Sequence, residues 1–104
     1  MDNMNEKEMA SIGAMVGACM EDMGLCFGRS KGAKALFCIA CCGTTCEKEA
    51  RPWSAAGMAH EYAAFIGSTQ TAVWQSMWRA LRRANWPGKV SEAIYALARW
   101  GVEA

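Results

Sequence analysis

Cysteines are the residues of this 104-residue chain whose type and spacing point most directly to chemistry. Four of the six fall in the stretch Cys-Ile-Ala-Cys-Cys-Gly-Thr-Thr-Cys, as Cys38, Cys41, Cys42 and Cys46. On a helix, a spacing of four residues places side chains on one face, so Cys38, Cys42 and Cys46 would form a stripe of thiols. The other two, Cys19 and Cys26, lie a short distance upstream.

A zinc-finger site is disfavoured for this cluster, because such a site usually needs two closely spaced ligand pairs, and here Cys38 and Cys41 form one pair with no second pair after it. Three other interpretations are open. A soft-metal site is still an alternative, using Cys38, Cys41, Cys42 and Cys46 with a further ligand from Cys19 or a second chain. A redox-sensing thiol is another alternative. The simplest interpretation is that these cysteines fill the core as small apolar side chains and that the protein needs no cofactor.

Tryptophan and arginine are concentrated near the end of a long predicted helix. The residues concerned are Trp74, Trp78, Arg79, Arg82, Arg83 and Trp86. On a helical wheel, Trp74 and Trp78 lie about 100° and 140° from the centre of the predicted core stripe, and Arg82 continues their line. Arg79 and Arg83 occupy the other flank, and Trp86 lies at the end of the helix. A large aromatic side chain displaced from the core beside arginine is typical of protein-interaction hot spots. We therefore predict that these six residues form a partner-binding surface.

Two other interpretations of this surface are open. Arg79, Arg82 and Arg83 could contact phosphates while the tryptophans stack on bases, as in a nucleic-acid-binding protein. Three arginines with little further lysine form a small basic footprint, however, and no helix-turn-helix, RRM or zinc-finger pattern accompanies them. The tryptophans could instead cover a neighbouring helix, with Arg82 stacked on Trp78 as a cation–π pair within the chain.

The sequence contains no complete set of catalytic residues. The one histidine, His60, precedes Glu61, but adjacent residues on a helix point about 100° apart and cannot act as a base and its orienting carboxylate. No glycine-rich phosphate loop, metalloprotease helix or nucleophile elbow is present. We therefore expect a protein that is not an enzyme.

The elements that must position these residues are predicted to be helices. Hydrophobic residues make up 53% and charged residues 20% of the chain, which favours a folded protein over a disordered one. Apolar residues recur at helical spacing, and capping residues, glycine and proline delimit helices at about 5–24, 32–50, 54–84 and 89–100. We predict one all-α domain spanning 1–104, a compact bundle whose long third helix is kinked or broken near Gly67.

Three of these helices carry patterns that bear on packing. The segment 36–46 is apolar on every side, so its helix should lie at the centre of the bundle or in the interface of a homodimer, which we expect. In the third helix the stripe facing the core is predicted to be Val73 with Tyr62, Ile66, Thr69, Met77, Ala80 and Ala84. The first helix has an apolar stripe formed by Met9, Ile12, Val16, Cys19 and Met23.

Charge and hydropathy narrow the range of partners and locations. The net charge of +1 predicts no general attraction to nucleic acid or acidic membranes. Residues 1–30 carry five acidic and two basic side chains, whereas residues 61–104 carry three acidic and five basic ones. The acidic N-terminus lacks the form of a signal peptide, and the uncharged run near the cysteines is too short to span a bilayer. We expect a cytoplasmic protein that does not associate with membranes.

Together, the missing catalytic set, the small size and the Trp and Arg residues favour a non-enzymatic interaction module. Such a module would act as an inhibitor, adaptor or regulator of a larger protein or nucleoprotein complex. Its length and composition would suit an accessory protein of a phage or mobile element directed at a host complex. A thiol-based metal-binding or redox-sensing protein and a small nucleic-acid-binding protein are the alternatives.

Overall fold

The computed structural model describes residues 30–103, which form helices joined by short turns. The helices are α1 (Lys31–Lys48), α2 (Ala55–Ile66), α3 (Gln70–Arg83) and α4 (Val90–Glu103). The prediction of an all-α bundle is confirmed for these residues, and the predicted helix 5–24 lies outside them. None of the four described helices is long and apolar enough to cross a membrane.

Hydroxyl side chains begin three of these helices, because they pair with backbone N–H groups that the first turn leaves unsatisfied. Ser30, Ser54 and Thr69 each accept a hydrogen bond from the N–H three residues later, at 3.2, 3.0 and 3.1 Å. At the start of α4 the carboxylate of Glu92 does the same, accepting from the Lys89 N–H at 2.8 Å. Local sequence therefore determines where each described helix starts.

The predicted helix 54–84 is two helices, because Gly67 ends α2. Gly67 has φ 71° and ψ 34°, the left-handed conformation that glycine adopts at little cost. Its N–H donates to the Ala64 carbonyl oxygen at 3.3 Å, and the Ser68 N–H donates to that of Ala63 at 2.8 Å. This pair of bonds is the Schellman ending of a helix. The predicted weak point is confirmed, and it is a complete break.

Helix α1 is the central helix of the described bundle: each of the four helices contacts the other three, and the contacts of α1 are the most extensive. Glycines allow two close approaches to α1. A Cβ added at Gly32 would overlap the Ser76 carbonyl group of α3, and one added at Gly43 would overlap the ring of Trp53, which lies in the turn between α1 and α2. On α4, the Ala98 carbonyl oxygen accepts a hydrogen bond from a hydroxyl of α1 at 2.8 Å. Of the two positions predicted for this helix, the described residues show the centre of the bundle, and the dimer interface stays a prediction.

Apolar side chains from all four helices form the core. The largest fully buried ones are Leu36, Ile39, Met77, Leu81 and Ile94. The buried residues of α2 are only alanines, Ala55, Ala59 and Ala63, which recur every four residues and let this helix approach its neighbours closely. The larger Met58 and Tyr62 are only partly buried against the core. Helix α2 thus leaves large side chains at the edges of its contacts.

The stripe predicted for the long third helix is only partly correct. The buried members are Val73, Met77 and Ala80, and the half-buried ones are Tyr62 and Ala84. Ile66 is 48% exposed and Thr69 is exposed as well, so their assignment to the core is wrong. The break at Gly67 is the reason, because it interrupts the helical register that would have continued the stripe across both residues.

Candidate protein-interaction surface

Trp78 and Arg82 form a stacked pair on the surface of α3. They are four residues apart, so the helix places them one turn apart on the same face. The guanidinium carbon of Arg82 lies 5.0 Å from the centre of the Trp78 ring, within the range of cation–π attraction. Trp78 is nevertheless 48% exposed, and Arg82 forms no ion pair within residues 30–103. An apolar ring and a cation are thus presented to solvent together.

Trp74, one turn before Trp78, connects this pair to the bundle. It is half-buried and packs against the core. Beside it a groove of about 430 Å³ opens between α2 and α3, lined by Ala56, Gln70, Thr71, Trp74 and Gln75. The Gln70 side-chain amide donates to the Ala56 carbonyl oxygen at 3.1 Å, which joins the two walls. We refer to Trp74, Gln75, Trp78 and Arg82 as the Trp78 surface.

Arg79 and Arg83 lie on the opposite flank of α3 from Trp74. Both are exposed. Helical spacing places Arg79 about 100° round from Trp78. The Arg83 Nη2 atom donates to the Ser30 hydroxyl oxygen at 3.5 Å, a contact between the end of α3 and the start of α1. The predicted residues therefore do not share one face, and these two arginines flank the Trp78 surface.

The assignment of Trp86 to the partner-binding surface is wrong. It is 7% exposed and belongs to the core. Its indole N–H donates to the Lys89 carbonyl oxygen at 3.2 Å, so its polar atom is satisfied inside the fold. The turn before it explains its direction: Asn85 has φ 62°, and the Trp86 N–H donates to the Leu81 carbonyl oxygen at 3.0 Å. This turn aims the ring inwards.

The cysteines of α1 differ in burial, so the interpretation of all of them as core filler is wrong. Cys46 is buried, Cys38 is half-buried, and Cys41 and Cys42 are exposed. Each step of four residues on a helix with 3.6 residues per turn rotates the side chain by about 40°. The stripe therefore does not stay on one side of α1, and only Cys46 among its three members is buried.

Two thiols of α1, those of Cys38 and Cys41, are not activated by their surroundings. Burial raises the pKa of Cys38, with the Lys34 ammonium partly opposing it, and partial burial raises the pKa of the more exposed Cys41. A raised pKa lowers the thiolate fraction at neutral pH, the opposite of what a redox thiol requires. Among residues 30–103, no group of three His, Cys, Asp or Glu side chains is placed to hold a metal ion. Cys19, proposed as a further ligand, lies outside that range.

Phe65 is an exposed side chain that the sequence patterns did not single out. It is 89% exposed and lies at the edge of a groove between α1 and α2 that Cys42 and Met58 also line. A wheel drawn over α2 alone, with Ala59 pointing inwards, places Phe65 about 120° from the buried face. The four-residue spacing of the alanines in α2 predicts that Phe65 is exposed. A helical wheel drawn over one unbroken helix 54–84 does not show this, because it takes a different face of α2 as buried.

Comparison of the chain with protein-family models, with curated proteins and with solved structures found no match.

Proposed function

We propose that this chain is a non-enzymatic interaction module that binds a larger protein through the Trp78 surface, as an inhibitor, adaptor or regulator. The observation that supports this most is the exposure of Trp78 beside the fully buried Met77. Tryptophan and arginine are enriched among the residues that contribute most to protein–protein binding. The Trp78 surface holds both types within one turn of the same helix.

The geometry of the pair favours binding to a protein. Stacking on Arg82 restricts the Trp78 ring before a partner arrives, which reduces the entropy lost on binding. The guanidinium still has donors to offer, because Arg82 has no carboxylate partner among the described residues. The groove beside Trp74 can take an apolar side chain. The expected partner therefore presents an apolar group next to an acidic one.

Comparative affinity capture tests this proposal. Full-length protein is immobilised as wild type, as Trp78→Ala and as Trp100→Ala, and captured proteins are quantified by mass spectrometry. Trp100 on α4 is 43% exposed and is a matched control for the loss of an exposed tryptophan. We expect a partner that wild type and Trp100→Ala capture equally and that Trp78→Ala loses. Equal capture by all three would contradict the proposal.

A nucleic-acid partner is the alternative that the exposed Arg79, Arg82 and Arg83 favour. Phosphate contacts release counterions, so affinity would fall steeply between about 50 and 200 mM salt. Each arginine replaced by glutamate would also lower the slope of that salt dependence by about one unit. A protein bound through Trp78 would depend much less on salt. Measuring the same variants across a salt series separates the two partners.

We further propose that the protein works in the cytoplasm. The described cysteines, Cys38, Cys41, Cys42 and Cys46, are free thiols. Reduced thiols are typical of compartments in which glutathione and thioredoxin keep disulfides from forming. Fractionation of the source cells, with the protein detected by antibody, would test this location.

A further inference from the structure

A second groove, apolar in character, takes its lining only from α1 and α2. Its volume is about 310 Å³. Its main lining residues are Cys38, Cys42, Met58, Glu61, Tyr62 and Phe65, and we refer to it as the Cys42 groove. Glu61 is the one charged side chain of this lining. The groove is therefore shaped for an apolar occupant that enters along the two helices.

The apolar side chains of the Cys42 groove are poorly covered by the described helices. Phe65 is 89% exposed, which is far more than Trp78, and Cys42 is exposed as well. Contiguous apolar surface of this kind usually marks a site where another segment or molecule packs. The central helix of the bundle is thus covered on the sides facing α2, α3 and α4 but open at Cys41 and Cys42, with Cys38 half-buried between the two sides.

The segment 1–29 is attached at the end of α1 from which it can reach this groove. Cys38 lies eight residues after Ser30, about 12 Å along the helix axis. A helix over 5–24, as the sequence predicts, would be about 30 Å long, against about 27 Å for α1. The five residues 25–29 are enough for a connection between antiparallel helices. Running back along α1, such a helix would bring its apolar stripe beside Cys42.

Charge supports the same arrangement. An antiparallel return places Glu21 and Asp22 near the start of α1, where a helix N-terminus favours negative charge. The first turn of α1 has no acidic residue of its own, and Lys31 there is exposed. Residues 1–30 carry five acidic and two basic side chains, whereas residues 31–104 carry five acidic and nine basic ones. The two parts of the chain therefore carry net charges of opposite sign, which favours their association.

We infer that residues 1–29 fold back along α1 of the same chain and bury their apolar stripe in the Cys42 groove. The stripe consists of Met9, Ile12, Val16, Cys19 and Met23. Covered in this way, the open side of α1 needs no second copy of the chain. The groove is then part of the fold, and the Trp78 surface is left for a partner.

Two native cysteines provide a direct test, because Cys19 lies in the stripe and Cys42 lies in the groove. Reduced full-length protein is treated with a short bismaleimide, and the linked peptides are identified by mass spectrometry. Mixing unlabelled with isotope-labelled protein distinguishes links within a chain from links between chains. We expect links from Cys19 to Cys42 and to Cys38, which also lines the groove, within single chains. Links between chains would place a second copy in the groove and overturn the inference, as would the absence of any link from Cys19 to Cys38 or Cys42.

Matched variants show whether the groove itself is responsible. Phe65→Ser should lower the yield of the Cys19–Cys42 link about tenfold, whereas Ile66→Ser, an exposed neighbour that does not line the groove, should not change it. In the segment, Val16→Asp on the stripe should have the same effect as Phe65→Ser, and Ser11→Asp on the opposite side should have none. Phe65 is so exposed that its loss leaves the described core intact. Equal yields from all four variants would overturn the inference.

Discussion

The Trp78 surface and the Cys42 groove are both open areas with apolar side chains, but they are built differently. On the Trp78 surface, Arg82 stacks 5.0 Å from the ring centre, so that the aromatic side chain shares its exposure with a cation. In the Cys42 groove, Phe65 is 89% exposed beside Cys42 and Met58, with no stacked cation. A ring with a stacked cation can remain at a surface, whereas an apolar groove gains free energy chiefly by being covered. The first suits a partner that dissociates, and the second suits a permanent cover.

Adjacent residues on α3 can differ completely in burial. Met77 is fully buried, and Trp78, the next residue, is about half exposed. A rotation of about 100° between adjacent residues is enough to separate core from surface. Trp86, a few residues later, is back in the core. Substitution of Trp86 is therefore expected to reduce stability, whereas substitution of Trp78 is expected to reduce partner binding.

Trp86→Ala should have the largest effect on stability. Removing a buried tryptophan leaves a cavity and lowers the free energy of unfolding by about 3 to 5 kcal/mol. Trp100→Ala, at 43% exposure, should lower it by less than about 1 kcal/mol. Urea unfolding followed by circular dichroism measures both. Similar losses for the two variants would contradict the placement of Trp86 in the core.

Met77→Ala should have the second-largest effect on stability. Because Met77 is fully buried, its truncation should lower the free energy of unfolding by about 2 to 5 kcal/mol. Ile66→Ala should cost only about 1 kcal/mol or less, because Ile66 is 48% exposed at the end of α2. The same urea titrations apply. If Ile66→Ala were as costly as Met77→Ala, the stripe would continue across Gly67 and the break would be wrong.

The thiols of Cys38 and Cys41 on α1 should show a smaller, pH-dependent effect. Since burial raises the pKa of Cys38 and Cys41, their alkylation by iodoacetamide should have midpoints above 9.0, compared with the same protein in urea. The unfolded chain releases these protons first, so their effect on the free energy of unfolding is absent below that pH and is a loss above it. A midpoint below 9.0 would instead favour the redox-sensing alternative.

Much of the fold could be predicted from the sequence because its signals are local. Ser54 can accept a hydrogen bond from the first turn of a helix, and Gly67 adopts the left-handed conformation at little cost, so both mark helix ends. The all-apolar segment 36–46 likewise predicted the central helix. Each of these conclusions depends on a few neighbouring residues.

Burial of individual side chains was harder to predict. It depends on the angular position of each residue around its helix and on the direction that a turn gives to the residues after it. One wheel drawn through Gly67 assigned Ile66 to the core and hid Phe65. The inward direction of Trp86 follows from the left-handed Asn85, which the sequence marks only as a turn. The drift of about 40° at each fourth residue likewise separates Cys46 from Cys42. The Trp78–Arg82 pair was predictable because it lies within one uninterrupted helix.

The affinity of Trp78→Ala for the captured partner tests the central claim most directly. Loss of a hot-spot residue costs at least about 2 kcal/mol, or roughly thirtyfold in Kd. We predict at least that loss for Trp78→Ala, a Kd within about threefold of wild type for Trp100→Ala, and little change in the unfolding midpoint of Trp78→Ala. Unchanged affinity for Trp78→Ala would contradict the account. Unfolding of that variant would contradict it too, because Trp78 would then be a core residue.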